Sequence, residues 1–393
     1  MKYNFDEIVD RHNTNSIKWE KYDYNEKIKD CIPLWIADMD FNVCDEITDA
    51  IISRAKHQIY GYTDASDELY ESIIKWQKEK NNININKNNI ILSTGVVYSY
   101  YQIINTLLKE DEKIIIMTPI YPPFYNVPNK MNREVVECPL IKNGLDYSID
   151  YDLFEKLLKE DNKIKLFNLS QPHNPLGFEF TLDELNKLCS ICKKYGVYVS
   201  SDEIHSDLML FGNKHVSAIN VDDIYKDILI VSFAPTKTFN LAGLKISYIV
   251  VPNEKLCHLL KDSFDTSGCS SINIFGYESL IAAYKYGKDW LNEVLIYIEE
   301  NFIFMEQYLK NNLPKIKFKM PTCTYLGWLD LTEYNLSRDF QQRLLNEGLV
   351  EFNAGETFKS DYRFLRINLA CPRSQLEKGL ENLKNWLNNN TNI

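Results

Sequence analysis

Apolar residues recur through the middle of the chain in two alternating rhythms. Residues 90–93, 113–117, 135–138, 163–169, 197–199, 228–233 and 246–251 are short apolar runs of strand length. Between them, 95–108 and 181–195 carry apolar and aromatic residues at helical spacing, and Thr181 with Glu184 has the spacing of a capping box. Strands apolar on both faces, alternating with crossover helices, predict a parallel or mixed sheet with helices on both sides. In such sheets chemistry sits in the loops at the carboxyl ends of the strands.

The final third reads differently. Long helical patterns cover 273–286 and 289–311. Short strands follow at 315–319, 325–331 and 364–369, and a closing helix at 373–387. The expected organisation is an N-terminal segment, 1–44, joining a smaller α+β domain at 289–393, with a large α/β domain at 45–288 between them. The Asn/Ile-rich stretch 81–89 reads as a surface connection and the Asn-rich tail 388–392 as a frayed end.

Composition narrows the classes. Hydrophobic residues make 45% of the 393 positions and charged residues 25%, which excludes wholesale disorder and a fibrous chain. Forty-four basic against 55 acidic residues give a net charge of −11 without a long basic run. That balance opposes binding to nucleic acid or to an anionic membrane surface. No apolar run approaches the ~20 residues of a membrane span. The first residues lack the apolar core of a signal peptide, so a cytoplasmic location is expected. The nine cysteines are odd in number and scattered, which predicts free thiols. Cys189 and Cys192 form a CxxC, but they share helical spacing with Leu182, Leu185 and Leu188 and read as a helix face. There is no HExxH, and no metal is expected.

Four segments carry candidate chemistry. In 232–244, Lys237 follows an apolar strand in a turn-rich stretch, where pyridoxal phosphate enzymes place the lysine that bonds their cofactor. In 197–205, Asp202 stands at the end of a buried strand. A buried carboxylate needs a partner, and a protonated pyridine nitrogen is one; a Lys or Arg would be another. Gly95 lies between a strand and a helix whose free N–H groups suit a phosphate. Asn174, in the proline-flanked turn 170–177, can donate to a phenolate oxygen. Each alone has an ordinary structural reading as a surface lysine, a salt bridge or a turn.

In this order and spacing the four segments resemble the fold-type I pyridoxal 5′-phosphate (PLP) enzymes of the aminotransferase class I/II superfamily. The segments 33–41, 60–63, 202–208 and 366–373 are similar to the cystathionine β-lyase, or C–S lyase, branch. The resemblance covers nearly the whole chain. It implies a three-layer α/β sandwich with a mostly parallel central sheet and a smaller α+β domain. It implies PLP as cofactor, an amino-acid thioether as substrate, and a homodimer with shared sites.

It also implies roles. Lys237 matches the cofactor-bonding and proton-moving lysine, Asp202 the partner of the ring nitrogen, and Asn174 the donor to the ring oxygen. Tyr121 matches the aromatic stacked on the ring beside the substrate, and Gly95 and Val96 the phosphate-binding backbone. Tyr62 matches a tyrosine reaching the neighbouring subunit's phosphate, and Arg366 the arginine holding the substrate carboxylate. Ala37 would leave room for the substrate's distal chain. His205 reads as a structural or ring-adjacent hydrogen-bonding residue. Two departures stand out. Ala234 occupies the place of a phosphate-binding serine, so Thr236, Ser232 or Lys245 would compensate. The loop 355–363 is poorer in glycine than in relatives and leaves Arg363 as a second carboxylate candidate. The expected activity is α,β-elimination to thiol, pyruvate and ammonia. The alternatives are an aminotransferase on the same scaffold and a non-catalytic regulator that keeps the fold.

Overall fold

The computed structural model describes residues 2–268 and 271–391. Seven strands form the central sheet: β1 (Ile90–Ser93), β2 (Lys113–Thr118), β3 (Val135–Pro139), β4 (Ile164–Ser170), β5 (Tyr198–Asp202), β6 (Leu229–Phe233) and β7 (Ser247–Val250). Their order is β1-β7-β6-β5-β4-β2-β3. All neighbours are parallel except β7, which runs antiparallel to both β1 and β6.

Strand periodicity explains the layers. Successive side chains point to opposite faces, and the buried residues sort accordingly. Ile114, Ile116, Leu166, Ile230 and Ile249 join one apolar cluster with Tyr100, Phe124, Leu260 and Phe264 from the helices on that side. Ile115, Met117, Phe167, Val231 and Tyr248 join a second with Leu185, Leu188 and Leu280 from the helices opposite. The sheet is therefore the middle of three layers, as expected. The capping box is present: Thr181 caps Leu182–Tyr195, its side chain accepts from the Glu184 N–H, and Glu184 returns a bond to the Thr181 N–H.

The final third forms a second, antiparallel sheet of β8 (Lys317–Phe318), β9 (Leu326–Asp330), β10 (Asn353–Ala354) and β11 (Phe364–Asn368), ordered β8-β9-β11-β10. The N-terminal segment attaches here. Ile32–Pro33 pairs in parallel with Val350–Glu351, and the Asn368 N–H donates to the Leu34 carbonyl at 2.9 Å.

Two expectations need correction. The stretch 81–89 is not a plain surface connection, because Ile83 and Ile85 are buried in the main core. The closing helix runs through Asn390, so the tail is ordered over most of the stretch read as frayed; Asn392 lies outside the described residues. The eight described cysteines are free and buried, Cys189 and Cys192 among them; Cys269 lies outside the described residues. Among the described residues no helix is long and apolar enough to cross a membrane, and no His/Cys/Asp/Glu cluster could hold a metal.

Candidate active site

Parallel register lines up the ends of three strands. Ser170 of β4 pairs with Asp202 of β5, and Asp202 with Ser232 of β6. The loops that leave this edge, together with the start of the helix Val96–Leu107, enclose a cavity of about 660 Å³. Ala37, Gly95, Val96, Tyr121, Asn174, Asp202, His205, Thr236, Lys237 and Lys245 all line it. An added Cβ at Gly95 would meet no protein atom within 4 Å, so this turn opens directly onto free space beside the helix N-terminus.

Lys237 sits in the short helix Pro235–Thr238 directly after β6. Burial, and then the nearby Arg366, bring its ammonium down to about 8, while Asp38 and Asp202 act the other way. Asp202 is the counterpart anion. Burial pushes its carboxyl up to about 7, and the Ile204 N–H, donating at 3.1 Å, offsets part of that. Among the described residues no Lys, Arg or His forms an ion pair with it. Burial pushes His205 down to about 3, so its ring is neutral, and its Nδ1 is buried without a hydrogen-bond partner. A neutral ring there opposes a role as a cationic acid.

Arg366 lies on β11 and is 4% exposed. It donates from Nη1 to Asn174 Oδ1 at 3.0 Å, and from Nη2 to Asn353 Oδ1 at 2.6 Å and the Trp35 carbonyl at 3.2 Å. Its Nε is buried and unpartnered, and all these acceptors are neutral. Burial lowers its guanidinium to about 10. Arg366 does not itself line the cavity; it reaches the wall through its bond to Asn174, and a buried cation among neutral acceptors there suits an anion. Its bond to Asn174 also occupies the amide oxygen and leaves the Nδ2 group as donor.

Three expected residues stand elsewhere. Ser232 pairs with Asp202 on one side and Ile249 on the other, is buried, and is not part of the cavity wall. Thr236 and Lys245 are the hydroxyl and cation that do reach the wall. Tyr62 is fully exposed, in a separate surface groove with Tyr60 and Phe275. Arg363 is taken by Asp361, its Nη2 donating at 2.8 Å, and does not reach the cavity. Sequence reasoning missed Thr94, Ser170 and Tyr98 in the wall and Asn353 beside Arg366. Thr94 and Ser170 flank residues already singled out; Asn353 gave no signal.

The family model for class I and II aminotransferases matches residues 29–383. The chain belongs to this family. It is 36% identical over 383 residues to a Bacillus subtilis protein named cystathionine β-lyase PatB, covering 97% of this chain and 99% of that one. The PLP-bound C–S lyase from Staphylococcus hominis superposes with a TM-score of 0.91 at 32% identity, covering 98% of both chains. A PLP-bound structure from Clostridium difficile 630 that carries an aminotransferase name gives 0.93 at 40% identity, covering 98% of this chain and all of that one.

Proposed function

We propose that this chain is a PLP-dependent C–S β-lyase. It would cleave cystathionine and related cysteine S-conjugates to thiol, pyruvate and ammonia. The observation that supports the substrate class is Arg366, a buried cation with only neutral acceptors, bonded to the wall residue Asn174 and suited to an amino acid's carboxylate. The choice of lyase over aminotransferase is supported by the likeness to relatives named as cystathionine β-lyases.

The donor set fits PLP. Asp202 offers a buried carboxylate that lacks a cation, as a ring nitrogen would require. Asn174 offers a free amide donor for the ring hydroxyl, and Tyr121 an aromatic face. The open backbone at Gly95 and Val96, with Thr236 and Lys245, suits the phosphate. His205, neutral and in the cavity wall, would neighbour the ring. When bound, PLP supplies an electron sink at the substrate's α-carbon. Arg366 orients the substrate by its carboxylate. Lys237, its amine brought down to about 8, would hold the cofactor and take up the substrate's α-proton. Asp202 would pair with the ring nitrogen and favour its protonated form. Ala37, small at the cavity wall, leaves space on the thioether side.

Tyr62, exposed and remote from its own chain's cavity, is proposed to reach the phosphate of a second copy, so the working unit is a homodimer. The N-terminal segment 1–44 and residues 289–393 are taken as one small domain against a large domain at 45–288. A cytoplasmic location completes the reading.

The decisive experiment supplies cystathionine to the purified protein without a keto acid and measures thiol and pyruvate. Both are expected. Turnover that appears only when a keto acid is added would make the protein an aminotransferase.

A further inference from the structure

The free amine of Lys237 has a specific resting place. Its Nζ donates to the main-chain oxygen of Ala37 at 2.6 Å. The neighbouring carbonyls are already engaged. Asn368 Nδ2 donates to Ile36 O at 2.7 Å and to Asp38 O at 2.8 Å. Asn240 grips Met39 from both sides, accepting from its N–H at 3.0 Å and donating to its carbonyl at 2.9 Å. Lys18 adds a bond to Asp38 O, and Arg11 one to Met39 O. The segment 36–39 has no helix or strand of its own. Apart from one main-chain bond, the Asp38 N–H donating to Ile36 O at 2.9 Å, side chains hold it, and they leave the Ala37 carbonyl turned toward the lysine.

We propose that the Ala37 carbonyl is the station that receives the Lys237 amine whenever it is not bonded to the cofactor, and that Asn240 and Asn368 are positioning residues that aim this carbonyl. In the proton step the substrate's α-C–H bond breaks, its electron pair stays on the substrate, and the proton joins the Nζ lone pair. Anchoring one N–H of the amine on Ala37 O fixes where that lone pair lies. Without the anchor a four-carbon stem must find the α-proton from many rotamers. The charged groups facing the amine are Arg366 from β11, Asp38 from the N-terminal segment and Asp202 from β5; His205 is neutral. A carbonyl acceptor favours the ammonium form, so losing it should move the amine's titration further down.

This rests on Lys237 being the proton-moving amine, a role lyases and aminotransferases share. The test therefore avoids thiol release, which reports only on the lyase reading. Two variants are used. Asn240 has φ +56°, so Asn240→Gly keeps the backbone while removing both bonds to Met39. Asn368→Leu removes both donors at similar size without adding a charge beside the amine. In cofactor-free protein the pH midpoint for acylation of Lys237, located by peptide mapping, is expected to fall by about half a unit or more. In loaded protein, solvent exchange of the α-proton of L-alanine, which has no leaving group, should slow by about tenfold. KM for alanine should hold, because Arg366 is untouched. A purely structural role would lower the melting temperature and leave the midpoint alone. Parental midpoints and parental exchange in folded, cofactor-retaining variants would overturn the proposal. If Asn368→Leu does not fold, Asn240→Gly decides alone.

Discussion

Two sets of buried charge lie within a few residues of each other and are built on opposite plans. In the N-terminal segment the buried charges, Lys18 and Asp40, are answered. Lys18, fully buried, pairs with Asp40 at 2.5 Å, and Arg11 pairs with Asp40 and Asp38, both at 2.8 Å. Gln375 adds a donor to Asp40. Around the cavity the charges are left open. Arg366 finds only neutral acceptors, and Asp202 finds one backbone N–H. Desolvated charge is costly unless it is paired. The first set can be explained as architecture, whereas the second makes sense only with ligands that supply the missing partners. Asp38 and Asp40 belong to the answered set; what their segment turns to the cavity is Ala37.

The contrast is testable from its sharpest point downward. Lys237→Ala should cut turnover by about ten-thousand-fold, the upper range for a lost acid–base group. Substantial residual thiol release would move the chemistry to another amine. Arg366→Met should lower kcat/KM by about a thousandfold, near the 4 kcal/mol expected for a removed buried charge partner, yet leave cofactor bound and the melting temperature unchanged or higher. Asp40→Ala should do the reverse. It strands Lys18 and costs about 3–5 kcal/mol in denaturant unfolding, with KM close to parental. If these two variants behaved alike, the division into answered and open charges would fail.

Asp202 gives a pH signature. Its carboxyl stands at about 7 in the fold against an ordinary 3.8. Between those values the folded state holds more protons than the unfolded one, so this group's contribution to stability declines as pH rises through that window. A cation placed against Asp202 relieves the penalty. The rise in melting temperature on adding PLP should therefore be larger at pH 8 than at pH 5, and Asp202→Asn should flatten that difference. Thr181→Ala sets the bottom of the scale. Removing an exposed cap whose partners can turn to water should cost about 1 kcal/mol and no activity.

Much of this was legible in the chain because the central strands are buried on both faces and read as uninterrupted apolar runs. The residues directly after those runs, Tyr121, Asn174, Asp202 and Lys237, then had to share one edge. What escaped the sequence were side chains that act on main chain. Asn240 and Asn368 bond to carbonyls of residues 36–39, and no pattern of residue types records a carbonyl's direction. Ser232 misled because a strand-end serine looks available, yet it is buried between Asp202 and Ile249 and does not reach the wall. Arg363 could have been set aside earlier, since Asp361 stands two residues before it and takes its guanidinium.

The full exposure of Tyr62 has a genetic consequence. If each cavity is finished by the other chain's tyrosine, a site is the joint property of two gene copies. A chain lacking Lys237 can still donate its Tyr62, and a chain lacking Tyr62 can still offer an intact lysine. Mixed dimers of two such defective alleles would place both defects in one cavity and neither in the other. Under random two-fold assembly about a quarter of all cavities would be whole, so two inactive alleles would restore each other in one cell.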